Sequence, residues 1–342
     1  MRAALAGSVP DLSTTTKGTQ MRTLITTTGV LAAMVALVSC GQTQNSASTD
    51  DYPDRPIDLI IPVPAGSSTD VSTRFVVPCI EEELDATIVV ENRDGGGGAV
   101  GNGLFAQAEA DGYTLVSTSV GNAVVPPIAE GGVGYEPDSF LPVGMIGQAP
   151  VVLVVAADSP YTSAEEFFAG AASERLVVGI PGPTSVPGIS ITALTSTQDL
   201  QLEAVPFTGN GNTIQALLGG EVDAAYLSAD GGVTLPRIQS GEVVALATAV
   251  DEPAPSLPDV PTLVSLGFDG LPLGDSFWFL ATQVDTPEPI VTTLEGAMET
   301  CMSNGDIQAQ IGEGVAPPEF IPGSDVQEML ETAARGYEEF LQ

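Results

Sequence analysis

Residues 60–75 read IIPVPAGSSTDVSTRF. The segment leaves an apolar run, passes through Pro62, Pro64, Ala65 and Gly66 into small hydroxyl residues, and enters a stretch with helical spacing. A strand-to-helix junction of this kind exposes backbone N–H groups. The first helical turn has no intrahelical acceptors for them, and the helix dipole places its positive end there. The segment therefore predicts an anion cradle at Ala65, Gly66, Ser67, Ser68 and Thr69, with Asp70 as the helix N-cap. Yet the chain carries 44 Asp plus Glu against 9 Lys plus Arg, a formal net charge of −35 over 342 residues. Local dipoles and total charge pull in opposite directions, so the cradle must work through oriented backbone rather than basic side chains.

Working outward, strand-like and helix-like runs alternate. IDLIIPV (57–63), the helix of 70–84, TIVVEN (87–92), a helix over 99–109 and YTLVSTS (113–119) form a βαβαβ order. That order implies a parallel sheet with helices on both faces. Pro78 is expected to kink or shorten the first helix. A second set follows: PVVLVVA (150–156), TSAEEFFAGAA (162–172) with Thr162 or Ser163 as its cap, LVVGI (176–180), EAVPF (203–207), NTIQALLGG (212–220), DAAYLS (223–228) and VVALATAV (243–250). SFWFLA (276–281) and a helical tail from 289 to 341 close the chain and return to the first set. Length and pattern predict two α/β lobes with a cleft between them. One lobe is 52–149 plus 276–342 and the other is 150–275, joined by two crossing segments.

Composition removes several functions. Lys17 is the only lysine, and past Ser39 the bases are Arg55, Arg74, Arg93, Arg175, Arg237 and Arg335. Nucleic acid is excluded as a partner, because phosphate neutralisation needs clustered Lys and Arg. The scattered acids read as a solvated, self-repelling surface of the kind that high salt screens. The sequence contains no histidine. Ser–His–Asp and Cys–His nucleophiles and His-ligated metals are therefore ruled out. No catalytic residue, metal or cofactor is expected.

At the N-terminus, Arg22 precedes LITTTGVLAAMVALVS and Cys40. A basic residue, a short apolar run and small residues describe a signal peptide over 1–39. Residues 1–20 precede Met21, a plausible alternative start. Leu37-Val38-Ser39-Cys40 resembles the lipobox of bacterial lipoproteins, which implies acylation of Cys40 and a membrane anchor on the outer face of the cell membrane. GQTQNSASTDD, filling most of 40–51, reads as a flexible tether. Cys79 and Cys301 remain. They are either a disulfide or two separate buried thiols, and spacing does not decide between them.

DGGGGAVGNG (94–103) contains a formal GxGxxG at Gly96, Gly98 and Gly101. It follows the second strand rather than the first, and no acid lies between Asp111 and Glu130 to hold a ribose. The loop reads as a tight turn and a close helix approach, not a dinucleotide site.

YPDRPIDLIIPVPAGSSTD, VVENRDGGGGAVG, ADGYTLV, VPFTGNGNTIQALLGGEVDAAY, GEVVALAT, LPDVPTLVSLGFDG and SFWFLATQVDTPEPIV occur in this order from Tyr52 onward. Together they resemble the substrate-binding receptors of tripartite tricarboxylate transporters, the Bug proteins. The resemblance implies a two-lobed periplasmic-binding-protein-like fold of type II, closing on a small organic acid that is passed to membrane permease subunits. The chain departs from the family at Ser67 and Ser68, where glycines are usual. It departs again at Thr208, where a lysine is usual, and at Pro183-Thr184-Ser185, which replaces a more Gly/Ser-rich turn.

The opposite lobe offers two matching turns for the ligand's other end: Thr184 and Ser185 after LVVGI, and Thr208, Gly209 and Asn210 after EAVPF. Thr118 and Ser119 follow the third strand, and Tyr226 offers a hydroxyl. Trp278 reads as core or hinge packing. Arg74 is expected to pair with Asp70, and Arg93 with Glu91, leaving the cradle without cations. Two other classes compete. An exported α/β hydrolase lacks a GxSxG elbow and a histidine, although a carboxylate-pair glycosidase is compatible with the many acids. A third class, a binding domain that feeds a signalling partner instead of a permease, is not excluded by the sequence.

Overall fold

The apolar head of the opening segment becomes strand β1 (Ile57–Ile61), with Ile57, Leu59 and Ile61 buried. The computed structural model describes residues 52–268, 271 and 275–341. The expected signal peptide, Cys40 and the tether lie outside the described residues. After β1 come helix α1 (Ser68–Leu84), β2 (Ile88–Asn92), α2 (Ala99–Ala106), β3 (Thr114–Ser119) and α3 (Val120–Ala129). β1 pairs in parallel with both β2 and β3. A second parallel group is built from β5 (Leu176–Ile180), α5 (Val186–Thr197), β6 (Leu202–Pro206), α6 (Gly209–Leu218) and β7 (Ala224–Ser228), with β5 between β6 and β7.

Between the groups runs β4 (Phe140–Ala156), a single long strand. Its first part, through Pro150, pairs antiparallel with β9 (Asp275–Gln283), which in turn pairs with β3. From Val151 the same strand pairs with β7 and with β8 (Val243–Thr248). The first sheet thus has the order β2-β1-β3-β9-β4 and the second β8-β4-β7-β5-β6. The parallel pairs come from βαβ units and the antiparallel ones from β4, β8 and β9. β4 reads as an unbroken apolar run because both of its faces are covered: Val151, Leu153 and Val155 enter one core cluster, Val152 and Val154 the other.

Helix α4 (Ala164–Ala171) starts on Ser163, whose Oγ accepts from Glu166 N. Helices α8 (Glu288–Met302) and α10 (Gly323–Leu341) return to the first sheet, α8 on α1 and α10 on α3 and β4. Cys79 of α1 and Cys301 of α8 form a disulfide, with Cα atoms 5.8 Å apart. α1 runs on through Pro78 to Leu84. Its N-cap is Ser67 rather than Asp70. Asp70 is the third helical residue, and its carboxylate reaches back to the N–H of Gly66 at 2.8 Å. This reciprocal arrangement satisfies two donors that a lone aspartate cap would leave competing for one acceptor.

Candidate functional site

Ser67, Ser119, Ser185 and Thr208 are the N-caps of α1, α3, α5 and α6, and all four line one cleft of about 730 Å³. α3 and α6 follow their strands within two residues, whereas α1 and α5 follow after the turns 62–67 and 181–185. In each case a short hydroxyl residue stands where the backbone passes from extended to helical. Ser67 Oγ accepts from Asp70 N, Ser119 Oγ from Asn122 N and Ser185 Oγ from Gly188 N, whereas Thr208 makes no such bond. One sheet contributes α1 and α3, the other α5 and α6. Four positive helix ends therefore meet across the gap.

Among the described residues the lining contains no lysine or arginine, and Asp94 and Glu130 are its charged members. The arginines are engaged elsewhere. Arg74 holds Asp70 at 2.9 Å and Asn92 Oδ1 at 2.8 Å, and Arg93 holds Glu91 at 2.5 Å. Arg55 pairs with Asp111 at 2.7 Å and stacks over Tyr113, while Arg175 pairs with Glu203. Asp70, although 3% exposed and beside the cradle, is neutralised by Arg74 and by the Asn92 amide at 2.9 Å.

The expected site residues divide. Ala65, Gly66, Ser67, Ser68, Thr69, Ser119, Thr184, Ser185, Thr208, Gly209 and Asn210 all line the cleft. Two glycines do so with their N–H already spent: Gly66 donates to Asp70, and Gly209 to Pro181 O at 3.1 Å. The N–H of Ser67 likewise goes to Pro64 O. In α1 the donors left to a ligand are those of Ser68 and Thr69, at the first and second helical positions.

Thr118 and Tyr226 do not belong to the cleft. Thr118 points into the protein from β3, fully buried, with its hydroxyl unpartnered. Tyr226 is 1% exposed and its hydroxyl meets Ser190 Oγ at 2.9 Å; burial pushes its phenol pKa well above the usual value. Strand alternation explains Thr118, whose neighbour Ser119 lines the cleft. Tyr226 shares a strand face with the lining residue Ser228 but sits two residues deeper in β7, where Ser190 covers its hydroxyl.

Other residues join the site without having been singled out for it. The Gly-rich loop lies at the cleft mouth, where Asn122 Nδ2 donates to Gly97 O at 2.7 Å. A Cβ on Gly97 would lie 2.2 Å from Thr184 Oγ1, so this loop touches the opposite wall. Trp278 lines the cleft while 2% exposed, stacked where a side chain on Gly147 would collide, with Nε1 unpartnered. The formal GxGxxG concealed the loop's contact with Thr184, and a lone tryptophan on an apolar strand carries no sequence signal for a cleft.

Residues 73–328 match the sequence model of the tripartite tricarboxylate transporter family receptor. The chain belongs to this receptor family. It is 30% identical over 301 residues to Protein BugT of Bordetella pertussis, covering 85% of this chain and 90% of that protein. Among solved structures it resembles the periplasmic binding protein BugD, with 25% identity, a TM-score of 0.74, and coverage of 84% of this chain and 97% of that one. It also resembles MatC of Rhodopseudomonas palustris with bound malate, at 27% identity and TM-score 0.75, covering 85% and 100%. The protein is thus a solute-binding receptor of a transport system, not an enzyme. No helix among the described residues is long and apolar enough to cross a membrane.

Proposed function

We propose that this receptor captures a small organic acid in the cleft between residues 52–149 with 276–342 and residues 150–275. It then delivers the acid to permease subunits of a tripartite tricarboxylate transporter. The observation that carries the reading is the convergence of four helix N-termini, three of them capped by a serine hydroxyl, on a cleft whose lining holds no cationic side chain among the described residues. Oriented N–H groups in a partly dehydrated cleft hold a carboxylate with charge-assisted hydrogen bonds, and the low dielectric strengthens each of them. The malate in MatC supports an acid ligand. Cys40 carries the lipid that tethers the receptor, through residues 40–51, to the outer face of the cell membrane. Replacing Cys40 by alanine is expected to release the receptor into the soluble fraction.

Thermal shift in molar salt against mono-, di- and tricarboxylates tests the ligand class. Stabilisation by at least one carboxylate and none by sugars or cations is expected. Silence from every acid, with a shift from a sugar or a cation, would defeat the reading.

A further inference from the structure

Asn210 stands in the first turn of α6 and lines the second lobe's wall of the cleft. Its Nδ2 donates to Ser228 O at 3.2 Å and to Asp230 Oδ2 at 2.5 Å. Asp230 is 1% exposed. Its Oδ1 accepts from Gly232 N at 2.9 Å and Val233 N at 2.6 Å, and its Oδ2 also from Thr234 Oγ1 at 3.2 Å. Asp230 takes part in none of the ion pairs among the described residues, so N–H and O–H dipoles alone compensate it.

This arrangement fixes the amide's orientation. A flipped Asn210 would set its oxygen against a carbonyl and a carboxylate at the same distances, two oxygen–oxygen repulsions in a buried setting. Oδ1 is therefore the amide's outward end, and it has no hydrogen-bond partner among the described residues. The second lobe thus presents a hydrogen-bond acceptor on a wall otherwise disposed to anions, with Asp94 and Glu130 as the lining's charged members. A bare carboxylate oxygen brought to that point is repelled. A hydroxyl or an amino group is welcomed, and an acid lacking one leaves Oδ1 dehydrated and unpaired.

We infer that the ligand is an acid bearing a hydrogen-bond donor, a hydroxyl or an amino group, on its carbon chain, and that Asn210 Oδ1 selects it with Asp230 as the positioning residue. The inference rests on the carboxylate reading of the cleft and narrows it.

Calorimetric titration in molar salt with matched trios tests it: succinate, malate and aspartate, then glutarate, 2-hydroxyglutarate and glutamate. In whichever trio binds, a substituted member is expected to bind about tenfold or more tightly than the unsubstituted one. The hydroxyl and amino arms identify the donor. Asp230→Asn lets the Asn210 amide turn, and is expected to shrink that ratio; Asn210→Leu is expected to abolish it. Should Asp230→Asn not fold, Asn210→Leu decides alone. Equal affinities within every binding trio, or a ratio unchanged in Asn210→Leu, would overturn the inference and leave the receptor reading standing. Should neither trio bind, the same comparison is made with substituted and unsubstituted acids of whichever length the thermal-shift panel identifies; silence across that whole panel, with a shift from a sugar or a cation, would remove both.

Discussion

The two walls of the cleft use the same device on different supports. In the first lobe, α1 is stapled to α8 by Cys79–Cys301, and the aspartate under its first turn is matched by Arg74 and Asn92. In the second lobe, among the described residues, no disulfide holds α5 or α6, and Asp230 is met by dipoles alone. The first wall is braced and electrically balanced, which suits holding a carboxylate common to many acids. The second keeps an unbalanced carboxylate behind an oriented amide, which suits discrimination. On the reading proposed above, grip and choice fall on opposite sides of one gap.

The largest expected effect comes from removing the brace. Cys79→Ala with Cys301→Ala opens a loop with a sequence separation of 222. Chain-entropy reasoning puts the loss of stability at about 5 kcal/mol. Denaturant titration checks it; a midpoint unchanged in the double variant would contradict the brace.

Next is Ser68→Pro. The first helical position tolerates proline, and the preceding Ser67, at φ −71° and ψ 163°, already has the backbone a proline requires. The change deletes one free N–H and is expected to weaken acid binding by about 10- to 100-fold, the size of a hydrogen bond to a charged group. The melting temperature is expected to move little. Unchanged affinity would shift the grip to the other wall.

Gly97→Ala comes third. At φ +62° the new side chain is strained, and it meets Thr184 across the mouth. About a tenfold loss of affinity is expected, with a larger radius of gyration in the presence of ligand than for the wild type. A variant that closes normally would show that the two walls need not touch.

The smallest effect concerns salt. A chain of formal charge −35 repels an anionic ligand at a distance, whereas the helix ends act at contact. Raising ionic strength from about 0.1 to 1 M shortens the screening length from about 10 to 3 Å. Stopped-flow association is expected to accelerate severalfold while dissociation changes little. Slower association on adding salt would mean that attraction guides the ligand in.

Much of this was legible locally. The passage from apolar run to small hydroxyls to helix is confined to a few residues, so the turns at Ser67, Ser185 and Thr208 announced themselves, as did the pairing of Arg74 with Asp70 four residues earlier. What escaped depends on partners distant in sequence or on competition for one donor. Gly66 lost its N–H to Asp70 because Ser67, not Asp70, capped the helix. Thr118 was separated from the cleft by strand alternation, and Tyr226 by its depth in β7 beneath Ser190, neither of which a run of small residues reveals. The meeting of Gly97 with Thr184, the lock of Asp230 on Asn210 and the disulfide all join segments that only the fold brings together.

β4 belongs to both sheets. One continuous backbone thus joins the two sheets, its halves sharing a single strand axis. The changeover lies between Pro150, which pairs with Asp275, and Val151, which pairs with Ser228. Proline has no N–H to give a neighbouring strand, so the ladder between the two sheets is thinnest at this point. Under the two-lobed reading proposed above, a stiffer or softer connection between the cleft walls would be made around that imino acid rather than at the Gly-rich loop.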